Sequence, residues 1–180
     1  MLLVKPRGLT LGRRVSMIGK PIIRIKDGGT IEIGDKVVMI SKSWGTAMGV
    51  RAPSILRTLH PDATIIIGDD TGMSGACICA AKSIRIGKRV LIGADVVIAD
   101  TDFHPLTPIN RRYAPVPDPS ESDGIVIGDD VFIGARSIIL KGVSIGDGSV
   151  IGANSIVTHE IPPGVIAAGN PARVLRKLSE

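Results

Sequence analysis

Residues 127–138 read IGDDVFIGARSI and residues 145–156 read IGDGSVIGANSI. The two words nearly superpose at a spacing of 18, since 145 − 127 = 18. Inside them an aliphatic returns every six residues: Ile127, Ile133, Ile139, Ile145, Ile151 and Val157. A second, smaller beat follows four residues later, at Val131, Ser137, Val143, Ser149, Ser155 and Ile161. Glycine follows the aliphatic at 128, 134, 146 and 152. Six is not a helical period. It fits short strands with inward and outward alternation, joined by turns. Three such strands close a triangular coil, and stacked coils pair in parallel about 4.8 Å apart. One coil cannot bury its own inner face, so the coils must share one continuous core.

Working outward, the beat recurs upstream. Ile67, Met73 and Cys79 are six apart, and Ile86, Ile92 and Ile98 resume after one inserted residue. A fainter turn begins at Ile33, with Val37 and Met39. On this register Cys77 and Cys79 point inward as small buried hydrophobes, since C-x-C is neither a redox C-x-x-C nor a zinc pair. The pair Gly28–Gly29 argues against a helix across residues 22–37.

Composition agrees. The 180 residues suffice for one domain. Hydrophobic residues make up 44% and aromatics only 2%, so the core is built from small aliphatics. A net charge of +5 favours anionic partners but is too mild to imply nucleic acid, and no aromatic-interleaved basic stripe offers bases a stacking platform. The opening MLLVKPRGLTLGRR has no signal-peptide core and no run approaches a membrane span, so a cytoplasmic protein is expected.

The hexapeptides resemble those of the left-handed parallel β-helix acyltransferases, in the branch of the maltose, galactoside and capsular-sugar O-acetyltransferases. The resemblance covers roughly residues 15–180. It implies an all-β, left-handed parallel β-helix in a single domain, residues 1–180. Left-handedness comes from the family, because the general crossover rule favours the other hand. The ending IPPGVIAAGNPARVLRKLSE also resembles that branch. Asn170 and Pro171 read as an N-cap and first-turn pair, so a short capping helix is expected over about 171–178.

The beat fails once. An aliphatic is due at 104, and the chain has His104 followed by Pro105. From 104 to 124 the pattern is absent, and the segment carries prolines 105, 108, 115, 117 and 119 together with Arg111 and Arg112. Such an excursion usually has a use, and a protruding loop is expected there. A second irregular stretch, residues 41–63, reads as a distorted coil with SILRTL as one wall; His60 in it reads as a solvated turn histidine.

On an extended strand Asp100, Asp102 and His104 share one face. The residues alone leave three readings of His104: a general base, a metal ligand with the two aspartates, or a structural histidine. The resemblance favours the base, because the similar enzymes place a catalytic histidine in a short His-Pro segment where the chain departs the coil. It implies an acetyl-CoA-dependent O-acetyltransferase acting on a sugar or polysaccharide-precursor hydroxyl, with Asp102 orienting the His104 ring. Coenzyme A contacts carry over to Ala135 and Ala153, with 153 − 135 = 18, to Thr158 and His159, and to Arg173 and Arg176 near its phosphates. His159 stands where those enzymes have lysine. Ser74 and Arg111 are the acceptor-side candidates. The family's acceptor-contacting asparagine and carboxylate are replaced by the Met73–Gly75 segment and by Ala81, so the acceptor does not carry over. A homotrimer with sites between subunits is implied, without a metal. The rivals are transfer to an amino sugar or antibiotic, a non-catalytic binding β-helix, and a γ-class carbonic anhydrase; the last needs clustered histidines, whereas this chain has His60, His104 and His159 with no close pair.

Overall fold

The computed structural model describes residues 7–178. The start of the chain, read above as lacking a leader, lies in part outside them. The chain winds through six coils. The first holds β1 (Leu9–Leu11), β2 (Ser16–Ile18) and β3 (Ile22–Arg24); the second β4 (Thr30–Ile33), β5 (Val38–Ile40) and β6 (Ile55–Thr58). The third holds β7 (Thr64–Ile67), β8 (Gly72–Ser74) and β9 (Cys77–Ala80); the fourth β10 (Ser83–Ile86), β11 (Leu91–Ile92) and β12 (Val97–Ala99). The fifth holds β13 (Ile125–Ile127), β14 (Phe132–Ile133) and β15 (Ile138–Ile139); the sixth β16 (Ser144–Ile145), β17 (Val150–Ile151) and β18 (Ile156–Val157). Then come β19 (Val165–Gly169) and β20 (Ala172–Lys177).

First strands of successive coils pair with first, second with second and third with third. The result is three walls, A, B and C, in a triangular prism, and all pairings are parallel except β19 with β20. This is the parallel β-helix expected from the repeat, of the left-handed kind that the family resemblance implies. The lattice begins at Leu9, earlier than the sequence resemblance reached. The prism axis is filled by one cluster in which Ile31, Ile65, Ile84 and Ile125 stack on wall A, Ile92, Ile133 and Ile151 on wall B, and Leu56, Ile78, Ile98 and Ile139 on wall C.

The corners explain the small residues. After wall A the chain turns through Gly-x-x, and the third residue is left-handed: Lys36, Asp70, Arg89 and Asp130 all have φ near +60° (58°, 59°, 55° and 59°). The glycine is required by stacking rather than by φ. A Cβ on Gly87 would lie 2.6 Å from the Gly128 carbonyl carbon in the next coil. A carboxylate ladder also ties this corner: Asp35, Asp69, Asp129 and Asp147 each accept a backbone N–H from another coil's corner, at 2.7–2.9 Å.

Two expectations are corrected. The capping helix over 171–178 does not form. The chain reverses at Gly169 (φ +108°) and runs back as β20, antiparallel to β19, with Gly169 opposite Ala172. A helix would leave the outer edge of β19 unpaired, and the strand satisfies it. The cysteines do not point inward either. Ile78 takes the core slot, because the turn through Ser74 and Gly75 (φ +59°) uses one residue fewer than the repeat. Cys77 and Cys79 therefore share the outer face of wall C, with sulfurs 3.8 Å apart; Cys79 is nevertheless buried, as expected, and Cys77 is half-buried.

Candidate active site

The lattice is left at Asp100, four residues before His104. Asp100 is fully buried, and its carboxylate accepts N–H bonds from Ala81, Lys82 and Ser83 at 2.5, 2.9 and 2.7 Å. It plugs the corner of the coil below. Burial raises its pKa above the ordinary carboxylate range, and the three N–H donors pull against that rise.

Beyond Asp100 the strand does not continue. Phe103 is left-handed (φ +61°), and the His104 N–H donates to the Asp102 carbonyl at 2.7 Å. Asp100, Asp102 and His104 therefore share no face, which corrects the extended-strand expectation. Asp100 is buried while Asp102 and His104 are exposed. Asp102 does not orient the ring as expected, for its carboxylate bonds Lys141 Nζ at 2.7 Å. That bond is the main reason the Lys141 pKa stands above its ordinary value. Among the described residues the His104 ring has no side-chain hydrogen-bond partner, and no group of three metal-ligating side chains forms.

The excursion runs from 100 to 124 and closes with a short 3-10 turn, Glu121–Asp123, capped by Ser120. Its tip mixes polar residues with bare apolar ones: Leu106 and Ile109 are 77% exposed and Tyr113 is 80% exposed, with Arg112 over the Tyr113 ring. Arg111 bends back onto the carbonyls of Leu106 and Thr107. His60 is not a solvated turn residue. Its side chain is only 17% exposed, Nδ1 lies 3.8 Å from Asp118 of the excursion, and Nε2 is buried without a hydrogen-bond partner among the described residues.

The remaining candidates fall on two corners and one end of the prism. Ala135 and Ala153 stack in successive coils at the corner between walls B and C, where the Asn154 N–H donates to the Ala135 carbonyl at 2.8 Å. A Cβ on Gly134 would lie 2.4 Å from the Ala153 nitrogen, so the backbones are in close contact there. Ser74 ends β8 on the outer side of wall B. Thr158 and His159 follow wall C, on the same corner as His104, and their side chains bond at 2.7 Å. His159 and Arg173 meet across a shallow groove of about 290 Å³ with Glu160, Ile161, Ala172 and Val174. Arg176 lies exposed on β20, bonded to the Lys177 carbonyl at 3.3 Å. Within one chain, the alanine pair and His104 thus stand on different corners.

Sequence reading missed Lys141. The signal was available: Ile98 pairs with Ile139, so Lys141 falls two residues beyond the pairing, level with Asp100. The excursion between them hid the alignment.

The family described as hexapeptide repeat of succinyl-transferase matches residues 83–99 and 124–159. Over 94 residues the chain is 37% identical to a 2,3,4,5-tetrahydropyridine-2,6-dicarboxylate N-acetyltransferase of Staphylococcus aureus, covering 52% of this chain and 33% of that one. The chain thus spans about a third of the length of the curated relatives it matches. Among solved structures it resembles galactoside acetyltransferase in complex with coenzyme A, with TM-score 0.62 and 28% identity over 95% of this chain and 66% of that one. It also resembles a hexapeptide-repeat acetyltransferase of Vibrio cholerae complexed with acetyl coenzyme A, with TM-score 0.57 and 34% identity over 71% of this chain and 69% of that one. With the six-residue period, the triangular coils and that coverage together, the chain belongs to the hexapeptide-repeat acetyltransferase family.

Proposed function

We propose that the chain transfers an acetyl group from acetyl-CoA to a hydroxyl of a sugar or polysaccharide precursor, with His104 as general base. The observation that carries this reading is the placement of His104. It stands exposed just outside the lattice, at the root of the excursion, with no side-chain partner for its ring among the described residues. A neutral imidazole there accepts the acceptor's O–H proton as the oxygen attacks the thioester carbonyl. The C–S bond then breaks, and the departing thiolate takes the proton back as CoA-SH. A backbone N–H or hydroxyl meets the oxyanion.

Ala135 and Ala153 give a coenzyme arm close access to backbone, and Arg173 with His159 flanks the groove for its phosphates. Because the alanine pair and His104 occupy different corners, one site holding both requires a second subunit. The outer faces support such packing. Wall C carries an unbroken row of Ile22, Ile55, Cys77, Val97, Ile138 and Ile156 in register, whereas the matching row on wall A, Thr10, Glu32, Ile66, Arg85, Val126 and Ser144, is mixed polar and apolar. We propose a homotrimer with sites between subunits, the bare excursion tip lying against a neighbour. We place it in the cytoplasm, where acetyl-CoA is available.

His104→Ala is expected to lower acceptor-dependent thiol release from acetyl-CoA by about 10²–10⁴-fold, with the fold unchanged by circular dichroism. Retained activity would remove His104 as the base. A second reading, transfer to an amine, is favoured by the N-acetyltransferase relative. A panel of hydroxyl and amine acceptors, with the acetyl position located by NMR, separates the two.

A further inference from the structure

Lys141 sits in the turn after β15, on the same corner as His104, two residues beyond Ile139, which is fully buried in the core. It touches both stems of the excursion. Its Nζ bonds Asp102 on the outgoing stem at 2.7 Å and lies 3.7 Å from Asp123 on the returning stem. The next residue adds a backbone tie, as the Gly142 N–H donates to the Asp123 carbonyl at 2.7 Å. Asp123 is itself locked, because its other oxygen accepts the Ser120 N–H at 2.8 Å. Lys82 holds Glu121 on the returning stem in the same way. His104 is coupled to this knot through one residue, since its N–H bonds the Asp102 carbonyl across left-handed Phe103.

We propose that Lys141 is a positioning residue. It clasps the two stems of the excursion to the lattice and, through Asp102, sets where His104 stands. This rests on the reading of His104 as base. Stability is not what the clasp supplies, because both partners are more than a third exposed and such pairs add little. A misplacement of about 1 Å at a base, however, costs on the order of 10²-fold in rate.

The test compares Lys141→Met, Lys141→Arg, Asp102→Asn and the Lys141→Met/Asp102→Asn double variant. Lys141→Met is expected to lower kcat roughly 10- to 100-fold, with KM for acetyl-CoA and Tm nearly unchanged. Lys141→Arg restores most of the rate. The double variant is no slower than either single one, because both break one contact. An unchanged kcat, a raised KM for acetyl-CoA with kcat retained, or multiplicative losses would each overturn the proposal. Amide hydrogen exchange over residues 101–123 reads the clasp without any catalysis. Faster exchange in Lys141→Met supports it, and unchanged exchange overturns it. If His104→Ala keeps full activity, the base reading fails, while the exchange result still decides whether the clasp exists.

Discussion

The corner between walls A and B and the corner between walls C and A are built from the same residue type and do opposite things. At the first, aspartates repeat: Asp35, Asp69, Asp129 and Asp147 each hand a carboxylate oxygen to a backbone N–H of another coil. At the second, the aspartates diverge. Asp100 is buried under three N–H donors, Asp102 reaches Lys141, and Asp123 closes the returning stem. A repeated corner makes a wall, and a broken one opens room for chemistry. The lattice supplies rigidity at the first, so the second can carry an exposed histidine on an irregular backbone.

The comparison can be tested from its rigid side first. Ile133→Ala empties a fully buried slot in the middle of the prism and should cost about 2–5 kcal/mol; urea unfolding measures it. Replacing residues 106–117 by a short Gly/Ser linker should leave Tm within a few degrees while abolishing thiol release. A large fall in Tm would show that the excursion belongs to the core rather than to the site. Gly134→Ala comes next. Its Cβ would meet backbone of Ala153, which has no side-chain freedom with which to yield, and a loss of about 1–3 kcal/mol is expected.

The smallest effect concerns pH. Arg89 holds the Asp130 carboxyl below its ordinary value, and Arg13 with its backbone N–H does the same for Asp35. A lowered folded pKa adds stability above the unfolded carboxylate value and loses it as pH falls through the folded one. The Tm difference between wild type and Asp130→Asn should therefore shrink on acidification from neutral pH to about 3. A difference that grows on acidification would reverse the assigned sign.

Much of this was legible in the chain. Repeats at Ile127, Ile133 and Ile139 specify strands and an inward face, because side-chain alternation is a local property. The break at His104 was equally plain. What periodicity misjudged were places where one residue more or less changes the face. Cys79 stood on the counted beat, yet a tight turn at Gly75 gave the slot to Ile78. The ending read as a helix from local capping signals, and the open edge of β19 made it a strand instead.

The sequence by itself determined the coil, its small-aliphatic core, the place where the lattice breaks and the histidine at that break. Only the tertiary structure decided which partner each polar group near the break would find. Asp102 and Lys141 are 39 positions apart, and Asp100 and Ala81 are 19 apart. Such pairs meet only once coils stack. Stacking is set by backbone pairing between coils, which no local pattern of apolar and polar residues encodes.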